Sequence, residues 1–145
     1  MTDFRNRPHD NYIFNAPWKA LYEFTEHWNS DIKFYKDELK FLHHIIDKYF
    51  SWISKKENIN LVKEIEINLL DLEKECTLLQ NKITKHLKYL TELINDPLKY
   101  DAHQFRIEHE ILEKDISSYV ELFRVHKNEI FIINNKIIET ETLID

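Results

Sequence analysis

The stretch INLVKEIEINLLDLEKECTLLQNKITKHLKYLTELINDP, residues 59–97, decides the fold. Within it Leu61, Ile65, Leu69, Leu72, Cys76, Leu79, Ile83, His86, Leu90 and Leu93 recur at steps of three and four. Such spacing places them on one side of a helix, in an almost strict heptad seam. Asn58 or Asn60 is expected to cap its start, and Asn95-Asp96-Pro97 to end it, because proline disfavours helical geometry in the residue before it.

The same period runs outward in both directions. Before this stretch, Leu21, Phe24, Trp28, Ile32, Tyr35, Leu39, Leu42, Ile46, Tyr49 and Ile53 form a second seam. Asn15 is read as its N-cap with Pro17 in the first turn, and Lys55-Lys56 as its end. After it, Ala102, Phe105, His109, Leu112, Ile116, Tyr119, Phe123, His126, Ile130, Ile133 and Ile137 form a third, with Asp96 as cap and Pro97 at the first helical position. Three helices are thus predicted, at about 15–55, 58–95 and 97–139, each on the order of 55 Å long. Short connections make neighbours antiparallel. The expected fold is all-α: an elongated up-down-up antiparallel bundle, one domain over 15–145, with an arm over 1–14 docked through Phe4, Tyr12, Ile13 and Phe14. A long helical hairpin paired between chains, coiled-coil fashion, is the other arrangement these seams allow.

Composition narrows the chemistry. Glycine is absent from all 145 residues. Gly-rich phosphate loops, dinucleotide fingerprints and nucleophile elbows are therefore excluded. The net charge of -6 gives no general attraction to nucleic acid or anionic lipid. No run approaches the ~18 consecutive apolar residues of a membrane span. A lone cysteine, Cys76, rules out an intrachain disulfide and fits a reducing compartment. With no secretory leader in MTDFRNRPHDNYIF, a cytoplasmic protein is expected.

Eight histidines raise the question of metal. No histidine has a glutamate three residues before it, so the paired Glu-x-x-His of di-iron bundles is missing. Position matters more than count. His86, His109 and His126 stand at seam positions. Antiparallel pairing about the two turns puts His86 level with residues 106–109 and with residues 28–31. Asp31, His86 and His109 then share one layer, with Glu38 one to two turns away. Two readings follow: a buried imidazole–carboxylate layer that sets helix register, or a zinc or iron site on Asp31, Glu38, His86 and His109. A second layer is read at His126, His43, Asp47 and Asn68. Cys76, on the middle seam, reads as a small buried apolar residue.

Apolar surface exceeds what one core needs. Phe34, Phe41, Ile45 and Trp52 make a second stripe on the first helix. Ile107, Ile111, Leu122, Val125 and Ile132 lie off the seam of the third helix, on its back. A row of this kind predicts an interface, with a homodimer or a helical partner protein opposite, unless the N-terminal arm covers it. The sequence therefore points to a non-enzymatic, self-associating structural or interaction protein. The alternative is a bundle that binds a metal or small ligand at the histidines.

Overall fold

The computed structural model describes residues 15–48 and 59–144, with side chains placed as far as Lys136. The expected arm over 1–14, the residues Tyr49, Trp52, Ile53 and Lys55-Lys56, and the Asn58 cap lie outside the described residues. Three helices follow in order: α1 (Trp18–Lys48), α2 (Ile59–Asn95) and α3 (Ala102–Ile144). They pack antiparallel in sequence, with α1 closest to α2, α3 next against α2, and α1 and α3 least close.

The starts of α1 and α3 differ from the reading of the sequence. The amides of Ala20 and Leu21 donate to the Pro17 carbonyl at 3.0 and 3.2 Å. Pro17 therefore stands at the cap position, and Asn15 lies before α1 rather than capping it. Helix α3 begins five residues later than expected. Asp96 Oδ1 accepts from the Leu98 amide at 3.1 Å and the Asp96 carbonyl from Lys99 at 3.1 Å, which makes a tight turn around Pro97 instead of a helix start. The cap is Asp101: its Oδ1 accepts from the Gln104 amide at 2.9 Å, and its carbonyl accepts from Phe105. Asp101-x-x-Gln104 resembles the capping-box pattern, with Asp in place of Ser or Thr, and competes successfully with Asp96-Pro97. Asp101→Ala is expected to cost about 1 kcal/mol, measured as a lower urea midpoint with an unchanged slope.

The seams form the core. Trp28, Ile32, Leu42, Leu69, Leu79, Ile83 and Ile116 are completely buried. A second cluster at the α1 start contains Ala16, Leu21, Leu90, Leu93 and Phe105. There Arg106 lies 4.0 Å over the Trp18 ring and donates to the Ala16 carbonyl at 2.8 Å, which ties α3 to the beginning of α1. Seam positions near helix ends shift. Leu61 is exposed and Val62 buried in its place. Ala102 is exposed, as expected for the first residue after a cap.

Helices α1 and α3 are bridged by rings. Tyr35 meets Phe123 at 4.7 Å and Tyr119 at 6.0 Å between centroids. Large side chains fill the space that the wider backbone separation leaves, and this geometry positions the polar layer described next.

Candidate functional site

Four polar residues are buried among the described side chains: Thr25, Asp31, His86 and His109. Thr25 is satisfied within its own helix, donating to the Leu21 carbonyl at 2.7 Å. The remaining three stand on three different helices, and two of them, His86 and His109, are brought together as the sequence implies.

His86 of α2 and His109 of α3 meet directly. His86 Nε2 and His109 Nδ1 are 2.8 Å apart, a hydrogen bond in which one neutral ring donates and the other accepts. Each ring is held by an aromatic face. His86 lies parallel to Phe105, at 4.5 Å and 10°. His109 lies against Trp28 at 4.7 Å and 33°. Burial holds the imidazole of His86 well below the usual histidine range, at about 4, because the charged form would lose its hydration. At neutral pH His86 is therefore uncharged. Asp31 lies one turn beyond Trp28 on the same buried face of α1.

Glu38 goes elsewhere. Its carboxylate is 3.2 Å from Lys127 Nζ of α3, in a half-buried pair outside the histidine layer. Lys127 gave no signal in the sequence, because a lysine beside a seam histidine reads as solvated surface. Of the second layer, His126 and Asn68 line one hollow between α2 and α3. His43 Nε2 lies 3.5 Å from Glu73 and His126 Nδ1 lies 3.6 Å from Glu129, while Asp47 is exposed. Surface acids are thus the neighbours of these histidines, without a hydrogen bond to either nitrogen. Among the described residues, no group of three or more His, Cys, Asp or Glu side chains is placed to hold a metal ion.

Cys76 is buried, and its Sγ lies 3.7 Å from the Ile32 carbonyl, on which it donates. Desolvation pushes its thiol up, away from the reactive thiolate. Tyr119 beside it donates to the Leu72 carbonyl at 3.2 Å, and burial likewise raises its pKa. These contacts join α1, α2 and α3 at one level and are structural in character.

The histidine layer borders a groove between α2 and α3. A hollow of about 390 Å³ is lined by Lys82, Lys85, His86, Tyr89, Glu108, Ile111, Leu112 and Asp115. A second of about 360 Å³ continues from Asp115 past Asn68, Asp71, Glu75 and Ser118 to Leu122 and His126. Lys82 and Asp115 face each other across it at 3.9 Å. Ile111 and Leu122 line it, and with Leu78 on α2 and Val125 and Ile132 on α3 they are each between 49% and 56% exposed. Ile107 is partly buried. Phe34 and Phe41 are likewise half-exposed on α1, whereas Ile45 of the same stripe is buried. No helix among the described residues is long and apolar enough to cross a membrane. No protein-family model, curated protein or solved structure matches the chain.

Proposed function

We propose that the protein is a non-enzymatic helical interaction module that associates with itself through apolar helix faces. The observation that carries this reading is the row of half-exposed Ile111, Leu122, Val125 and Ile132 along α3. Scattered exposed apolar residues are ordinary on a protein surface, but these four repeat on one side of one helix. A second copy of the chain is the simplest partner, since two-fold dimers are the commonest closed assemblies.

The buried histidines fit this reading as a device of register. An imidazole pair joined by one hydrogen bond is satisfied only when α2 and α3 lie at one level. Sliding by a single turn breaks that bond, and a buried donor or acceptor left unsatisfied costs about 1–3 kcal/mol. The layer therefore holds the bundle in a single alignment and keeps the outer stripes in a defined relation.

Sedimentation equilibrium or light scattering on the full chain tests the reading. A mass of two chains, falling to one on dilution, is the expected result. A monomer at every concentration, with no protein bound along α3, would remove it.

A further inference from the structure

The α2/α3 face carries a pattern that matches itself when turned end over end. On α2, Asp71, Glu75, Leu78, Lys82 and Lys85 follow at steps of four and three, so they form one outward stripe. Leu78 is 53% exposed at its centre. The two acids lie on one side of it and the two lysines on the other, about one and two turns away in each case. On α3, Ile111 and Leu122 stand equally far from the midpoint between residues 116 and 117. The two midpoints coincide in space: the Lys82–Asp115 ion pair, the His86–His109 bond and the Tyr119–Leu72 bond set Leu78 within about a turn of residue 116.

We infer that this face pairs with the same face of a second copy about a two-fold axis passing Leu78 at right angles to the helices. This inference rests on the self-association proposed above and names its surface and geometry. Under the operation α2 lies antiparallel to its copy and α3 to its copy. Leu78 meets Leu78, and Ile111 meets Leu122. Lys82 meets Glu75, and Lys85 meets Asp71. The neighbouring Ile107 and Val125 fall opposite each other, as do Glu108 and His126 at the groove. The parallel alternative, with the axis along the helices, brings the lysines of α2 beside the α3 segment that pairs with its own lysines and loses the match of charges. Counted from Leu78, Lys82 of one copy is level with Lys74 of the other and one residue, about 1.5 Å, from the level of Glu75; it reaches Glu75 because Lys74 lies at the edge of the stripe, toward Leu70.

Charge complementarity, rather than apolar exposure, selects a second copy as the occupant. An isologous interface must complement itself, and an arrangement of opposite charges reversed about one central apolar residue does so. The footprint is adequate. The α2 stripe from Ile67 to Tyr89 is about 33 Å long and two helices are about 20 Å across, so roughly 600 Å² per copy is covered, within the range of specific interfaces. The pairing would bring α2, α3 and their copies into a four-helix arrangement, with α1 of each copy outside.

Charge reversal and a cross-link test the geometry on the full chain. Lys82→Glu with Lys85→Glu is expected to weaken the dimer at least about tenfold, and Asp71→Lys with Glu75→Lys to do the same. Mixing these two variants should restore a dimer that holds one of each. Asp71, Lys82 and Lys85 are exposed and Glu75 is half-buried, and circular dichroism checks that each variant keeps its helices. Leu78→Cys, oxidised with diamide, should give a covalent dimer, because a residue on the axis faces itself. Leu70→Cys, exposed on another side of α2, should not. A dimer indifferent to both charge reversals and uncrosslinked at position 78 overturns this face and axis while leaving self-association standing. A wild-type monomer, whether its face is bare or covered by residues 1–14, overturns both.

Discussion

Trp28→Ala is expected to destabilise the bundle by about 3–5 kcal/mol, the range for removing a large aromatic side chain from a core. Trp28 is completely buried and lies against His109, joining α1 to α3, the two helices that approach each other least closely. The neighbouring helices cannot collapse into the vacated space without pulling the Tyr35–Phe123 contact and the histidine layer out of place. A domain of this size typically has only about 5–15 kcal/mol in all. The variant should therefore unfold at a much lower urea concentration. Trp28→Phe, which keeps a ring against His109, should recover part of the loss. Chemical denaturation followed by far-ultraviolet circular dichroism measures both. A loss below about 1 kcal/mol for Trp28→Ala would mean that the aromatic layer is not closed.

Acidification should weaken the fold through His86. Above about pH 6.5 both folded and unfolded chains hold this imidazole neutral, and its full contribution is present. Below that value the unfolded chain binds a proton, while the folded chain resists until about pH 4. Stability therefore falls as pH drops between 6.5 and about 4, and this contribution levels off below that window. The gap corresponds to roughly 3 kcal/mol. Carboxylates titrate in the lower part of the same range, so the histidine share is read as a difference between proteins. His86→Leu combined with His109→Leu replaces both members of the hydrogen bond, so neither ring is left facing a lost partner in the other, and should cost less at neutral pH than a single change. It should also flatten the decline between pH 6.5 and 4.5. His86→Leu alone leaves the ring of His109 without that bond and should cost more than the double change. Urea midpoints at a series of pH values decide it; parallel declines in wild type and double variant would show that the histidine layer is not responsible.

The two effects arise in one layer. Trp28 seals one side of it, Phe105 the other, and His86 forms part of the α2/α3 groove wall. Covering that groove with a second copy would bury the outer edge of the same layer. Dimerisation and the His86 proton are then opposed: protonation disfavours the closed layer, and closure disfavours the proton.

Much of this architecture was legible in the residues themselves. Three apolar seams at steps of three and four give helices and name the buried side of each. Glycine-free composition and the break at Asp96-Pro97 give the reversal. The constant rise of a helix then places His86 opposite His109 and Trp28 before any contact is known. These inferences need only the period of the backbone and the place where it turns back. The sequence did not determine how far each helix rotates about its own axis, or which of two adjacent polar groups wins a contact. Rotation sent Glu38 to Lys127 instead of the histidines, His43 to Glu73, and exposed Leu61 where Val62 became core. Local competition moved the α3 cap from Asp96 to Asp101. Such choices turn on angstrom-scale differences among the surfaces of all three helices at once. Periodicity along one chain segment carries the levels of its residues, whereas their azimuth is set only when the neighbouring helices pack.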